Sequence, residues 1–239
     1  MQRLTARYPR IRAFVAARLA RGASFGLHLT VGLGISLIGL WGFASIAAKV
    51  FHEQSLVQYD LWLLEQLQSR MHPSGYMIAQ AVSAVASAPF MIALALAIGS
   101  MLALRRQWLL LKGWLIALVG GELLNLVLKG LFQRPRPLHS EILSSQSWSF
   151  PSGHAMASLV AYGMLVYLLT VLVPGLGRRR LAIVAGCAAL LILAIGWSRI
   201  YLGVHHFSDV IGGYAAGTLW LSACISGLEV ARLSPVLRT

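Results

Sequence analysis

Negative charge is scarce in this sequence: its 239 residues hold seven Asp and Glu against 20 Lys and Arg, a formal net charge of +13. Charged residues of both signs make up only 11% of the chain, where a soluble domain carries about 25%. A water-facing surface cannot be covered with so little charge. Cysteine is equally sparse. Cys187 and Cys224 stand alone within apolar runs, which excludes a disulfide framework and a thiolate metal site. There is no long polar block that could fold separately, no internal repeat and no low-complexity tract, so residues 1–239 read as one domain.

Apolar sequence fills the space that charge leaves. Hydrophobic residues make up 58% of the chain and mean hydropathy is +0.73. Apolar runs over residues 27–49, 77–104, 108–131, 155–175, 181–198 and 210–230 are each long enough to cross the hydrocarbon as a helix. The fold expected is all-α, an integral membrane six-helix bundle. With the N-terminus in the cytoplasm, 13 of the 17 arginines fall on inner segments: Arg3, Arg7, Arg10, Arg12, Arg18, Arg21, Arg105, Arg106, Arg178, Arg179, Arg180, Arg232 and Arg238. Only Arg70, Arg134, Arg136 and Arg199 fall outside. The positive-inside rule then puts both termini in the cytoplasm, with residues 1–26 as a basic cytoplasmic segment. The basic excess is topology, and no nucleic-acid partner is implied. The first run is about twice the length of a signal-peptide core, so it reads as an uncleaved anchor.

Between the first two runs, Leu56, Tyr59, Leu63, Leu67 and Met71 recur at helical spacing, which predicts an interfacial helix along the outer face. Pro89, inside the second run, predicts a kink. Polar residues otherwise interrupt the apolar pattern in three clusters: KGLFQRPRP with Lys129 and Arg136, SFPSGHA with Ser152, Gly153 and His154, and SRIYLGVHHFSD with Arg199, His205, His206 and Asp209. Each residue has a plain structural explanation. Lys129 can snorkel, Ser152 and Asp209 can be N-caps, His154 can be a hydrogen-bonded structural histidine, and Arg199 can complement a helix C-terminus. Counting spans, however, brings all three clusters to one face of the membrane, opposite the arginine-rich face. Three cations, histidines able to act near neutral pH and a helix N-terminus suit a phosphate monoester or a diphosphate.

The order Lys129-x6-Arg136-Pro137, Pro151-Ser152-Gly153-His154 and Ser198-Arg199-x5-His205-x3-Asp209 resembles the three-part signature of the type 2 phosphatidic acid phosphatase family, and the six-span layout extends the likeness over nearly the whole chain. The closest resemblance is to the bacterial branch acting on phosphatidylglycerol phosphate and undecaprenyl diphosphate. The resemblance implies a cofactor-free, metal-independent lipid phosphatase at the outer face of the cytoplasmic membrane. In it His205 is the nucleophile, Asp209 its partner and His154 the general acid and base, while Lys129, Arg136, Ser152, Gly153 and Arg199 hold the phosphoryl oxygens. One departure is that His206-Phe207 stands where members often have Tyr-Pro. By spacing alone Asp209 is reachable from His205 and from His206, and only the signature selects His205. A lipid phosphotransferase or a carrier of phosphorylated lipids uses many of the same residues, though a carrier has no need of the histidine and aspartate arrangement. Glu122 and Asn125 share a face with Lys129, as a polar track below the site or as an ordinary interhelical contact.

Overall fold

The computed structural model describes residues 24–137 and 148–233. The basic segment before residue 24, and Arg238, lie outside the described residues. Eight helices follow in order: α1 (Ser24–His52), α2 (Gln54–Gln68), α3 (Pro73–Ala84), α4 (Ala88–Leu104), α5 (Trp108–Phe132), α6 (Gly153–Leu172), α7 (Arg178–Tyr201) and α8 (Phe207–Leu233). Six stretches are long and apolar enough to span a bilayer, with α3 and α4 sharing one of them. The expected all-α, six-span bundle is what the chain forms, and α2 is its additional, non-spanning helix.

The bundle is built around α6 and α8, whose apolar windows are 44% and 33% buried against 11% for α1 and for the α3–α4 span. The two central helices are also the two that begin at the polar clusters. In one half of the bundle, Trp114, Leu102, Met164, Val160 and Leu228 form a core between α4, α5, α6 and α8. In the other, Phe150 is fully buried, stacked on Phe43 at 5.6 Å and edge-on to Phe132 at 5.2 Å. Those ring contacts, each worth about 1 kcal/mol beyond the area buried, fix the segment that leads into Pro151 and Ser152. Leu37, Ile38, Trp41, Leu96, Ile116 and Leu190 point outward, as a lipid-facing surface requires.

The second span departs from a simple kink. The helix stops at Ala84 and restarts at Ala88, with Pro89 in the first turn of α4, where its missing N–H deprives no intrahelical bond. One carbonyl freed by the break, that of Val85, accepts a hydrogen bond from Tyr162 Oη at 2.7 Å. The gap is thus satisfied inside the protein, as a break at membrane depth must be.

Helix α2 lies where the sequence puts an interfacial helix. Asp60 and Leu64 face inward, with Leu63 and Leu67 packed beside Ile200 and Val210, while Tyr59, Leu61 and Trp62 are about half exposed. Asp60 is buried there because a buried arginine receives it, as described below.

Candidate active site

Four helix ends and two loops meet at one end of the bundle. Lys129 sits in the last turn of α5. That helix stops at Phe132 because Gln133 turns into left-handed backbone, φ 45°, and Pro135 cannot continue it. The chain then carries Arg136 back across the site, where its Nη1 donates to the Val204 carbonyl at 3.0 Å. Ser152 is the N-cap residue of α6 and His154 lies in its first turn. Arg199 is in the last turn of α7. Past it, Gly203 at φ +70° supplies a left-handed turn that other residues resist, and the chain delivers Val204, His205 and His206 to the start of α8. Asp209 is in the first turn of that helix.

These ends touch directly. The Ser152 N–H donates to the Asp209 carbonyl at 2.9 Å, and a Cβ on Gly213 would lie 2.6 Å from the Ser152 carbonyl, so α8 can approach α6 this closely only with glycine there. Lys129, Arg136, Arg199 and His205 all lie within electrostatic range of His154, and Asp209 within range of Lys129 and Arg136. The residues of the three polar clusters therefore converge on one place. Two polar atoms there are buried and without a hydrogen-bond partner among the described residues, Ser152 Oγ and Arg199 Nε. A buried donor without a partner is costly, and Ser152 stands at the N–H groups of the α6 first turn, a ready anion site. Ser152 is an N-cap by backbone only, since its hydroxyl caps nothing.

Asp209 is fully buried and accepts from several donors. Its Oδ1 takes Arg134 Nη1 at 2.6 Å, and its Oδ2 takes the His206 N–H at 2.8 Å and the Ser149 hydroxyl. The bond to the His206 N–H is the reach-back half of a capping box. Both histidine rings come near the same oxygen, Nδ1 of His206 at 3.3 Å and Nδ1 of His205 at 3.5 Å, so distance to Asp209 does not separate them. What separates them is that His205 neighbours His154, Arg136 and Arg199. With its Nδ1 edge toward Asp209 and Ser149, the His205 Nε2 edge is left for other chemistry. Burial, opposed by Asp209 and aided by Arg136 and Arg199, pushes the His205 pKa down to about 4. The ring is neutral at pH 7, with a lone pair available.

Four further residues escaped the reading of the sequence. Arg134, almost fully buried, bridges Asp209 and Asp60 of α2, the latter through Nη2 at 2.9 Å. Ser149 joins Asp209 as above, and Ser83 at the end of α3 accepts from Arg199 Nη1 at 2.5 Å, which the break in the second span makes possible. A charge within the apolar stripe of α2 was the signal that marked Asp60. Asn125 proves to be an interhelical contact, its amide donating to the Pro151 carbonyl at 3.4 Å beside Gly153. Glu122 and Asn125 both line an apolar cavity of about 360 Å³ between α4, α5 and α6, and Glu122 lies within electrostatic range of Lys129. Among the described residues no three His, Cys, Asp or Glu side chains are grouped as metal ligands.

The model of the PAP2 superfamily matches residues 108–231. Phosphatidylglycerophosphatase B of Bacillus subtilis (strain 168) is 32% identical over 187 residues, covering 76% of this chain and 89% of that protein. The crystal structure of a transmembrane PAP2 type phosphatidylglycerolphosphate phosphatase from Bacillus subtilis superposes with a TM-score of 0.73 at 27% identity, over 85% of this chain and 98% of the other. Aquifex aeolicus LpxE is similar at 25% identity and a TM-score of 0.49, over 69% of this chain and 93% of the other.

Proposed function

The chain belongs to the PAP2 superfamily and is a multi-pass membrane phosphatase of that family, and from that premise we propose that it hydrolyses a phosphorylated lipid through a phosphohistidine on His205. The observation that carries this reading is the buried His205–Asp209 pair facing three cations, beside a helix start whose Ser152 hydroxyl has no partner among the described residues. The substrate is a lipid phosphomonoester or diphosphate, with phosphatidylglycerol phosphate favoured by the likeness to phosphatidylglycerophosphatase B; undecaprenyl diphosphate and phosphatidic acid present the same phosphoryl group.

In the first step His205 Nε2 attacks phosphorus, the bond from phosphorus to the leaving oxygen breaks, and His154 gives that oxygen a proton. Asp209 and Ser149 hold the Nδ1 edge and stabilise the charge that develops on the ring. In the second step His154 takes a proton from water, whose oxygen attacks phosphorus. The P–N bond breaks, His205 is restored and inorganic phosphate leaves. Lys129, Arg136, Arg199, Ser152 and the Gly153 N–H hold the equatorial oxygens, which supplies the positioning and charge stabilisation that dominate phosphoryl transfer.

Because these groups do the work of a cation, phosphate release in detergent should continue at an unchanged rate in EDTA. Vanadate should inhibit by adopting the five-coordinate geometry. An activity lost to EDTA and restored by magnesium would overturn the mechanism.

The arginine distribution supports a site at the outer face of the cytoplasmic membrane with both termini inside. In a variant lacking both native cysteines, a cysteine at Ser69, or at Ser145 in the segment outside the described residues, should react with an impermeant thiol reagent in intact spheroplasts. One at Gly177, exposed at the opposite end, should not. The reverse pattern would invert the topology.

A further inference from the structure

We infer that Arg134 and Asp60 form a positioning relay behind Asp209, in which the surface helix α2 holds the partner of the nucleophilic histidine in place. This rests on the phosphohistidine reading. Two carboxylates, Asp60 and Asp209, are 1% and 0% exposed, and without a cation between them their charges would repel. Arg134 lies between them. Its Nη1 donates to Asp209 Oδ1 at 2.6 Å and its Nη2 to Asp60 Oδ2 at 2.9 Å, a two-armed grip that a planar guanidinium can make and an ammonium cannot.

Ser208 locks the assembly. Its hydroxyl accepts from Arg134 Nη1 at 2.7 Å and donates to Asp60, and its N–H donates to Asp60 Oδ1 at 3.0 Å. Asp60 therefore caps the first turn of α8 from another helix while it steers the arginine. Neither Asp60 nor Arg134 lies within hydrogen-bond reach of Lys129, His154 or Arg199, so their influence on the phosphoryl group passes through Asp209. One arginine between two carboxylates leaves one net negative charge, and the donors that share it are the Ser149 hydroxyl, the His206 N–H and the His205 ring.

The relay makes a signed prediction for the pH dependence of kcat/KM, whose acid limb reports protonation of the free enzyme's nucleophile. The titratable and charged groups around Asp209 and His205 are Arg134 and Arg136 from the loop after α5, Lys129 from α5, His154 from α6, Arg199 from α7, His206 from the turn and Asp60 behind Arg134. Arg134→Gln removes a positive charge, so the His205 pKa rises and the acid limb moves up. Asp60→Asn leaves Arg134 bearing on Asp209 alone, so the pKa falls and the limb moves down. Each shift should be about half a pH unit to one unit. Both variants should lose about 10- to 100-fold in kcat, as removal of an orienting hydrogen-bond partner does, with KM within about twofold. Arg134→Lys keeps the charge but not the grip, and should lose about tenfold in kcat with the limb near its wild-type place.

The experiment is phosphate release from phosphatidylglycerol phosphate in detergent micelles by the full-length chain and these three variants, across pH, alongside thermal unfolding. The substrate's own ionisation is common to all four proteins, so differences between them report the enzyme. Opposite shifts of the acid limb bear the relay out. Limbs that stay in place, or move the same way, in variants that have lost activity make Asp60 and Arg134 merely structural and overturn it. A full wild-type rate in Arg134→Lys overturns the two-armed geometry. A wild-type protein that releases no phosphate from any lipid phosphate instead removes the underlying reading.

Discussion

His205→Ala should release no phosphate above the blank, a loss of roughly 10⁴-fold or more, whereas His206→Ala should keep most of the wild-type rate. A nucleophile cannot be partly replaced, because without it there is no bond to phosphorus to form. The adjacent histidine is the stringent control. Its ring comes as close to Asp209 as that of His205, at 3.3 Å against 3.5 Å, and it too is buried. If proximity to Asp209 were sufficient, the two would be interchangeable. They differ in that His205 faces His154 and two arginines, which is where the proposed mechanism places the phosphoryl group. The contribution of His206 to Asp209 is made by its backbone N–H at 2.8 Å, which alanine retains. Both variants should remain folded and monodisperse, and the rates should be compared at equal amounts of folded protein. Equal loss in the two would mean that the turn itself, rather than one ring, is what matters.

His154→Ala should be about 10² to 10⁴ times slower on a lipid phosphate, the range expected for a general acid, yet it should react nearly as fast as wild type in the first step with an aryl phosphate whose leaving group needs no proton. The second step still needs a base for water, so the variant should accumulate phosphoenzyme. Wild type, which clears the intermediate, should hold much less. The separation follows from placement. His154 stands in the first turn of α6 with Arg199, His205, Lys129 and Arg136 around it, and among the described residues it makes no hydrogen bond to Asp209. A uniform loss on lipid and aryl substrates would assign His154 to binding instead.

The spans, the clustering of the three motifs at one end of the bundle and the membership of the family were legible in the sequence because each depends on local pattern. Length and hydropathy fix which segments cross the bilayer, and the parity of crossings brings Lys129, Ser152 and Arg199 to the same end. What was not legible depends on pairs far apart in the chain. Arg134 and Asp60 are separated by 74 residues, and each alone reads as an ordinary outer-face charge. Only the packing of α2 across the start of α8 turns them into a buried bridge. Ser83 is likewise one small residue in an apolar run until the break after Ala84 brings it to Arg199. Pro89 announced an irregularity, but not that Tyr162, on another helix, donates to the freed Val85 carbonyl.

The account's central claim is a covalent phosphoryl group on His205, and trapping it is the most direct test. His154→Ala incubated with a ³²P-labelled aryl phosphate, quenched in alkali to preserve a P–N bond, digested and mapped should carry the label on His205, at a stoichiometry approaching one per chain. Label on His206, on a serine or on no residue at all while turnover continues would contradict it.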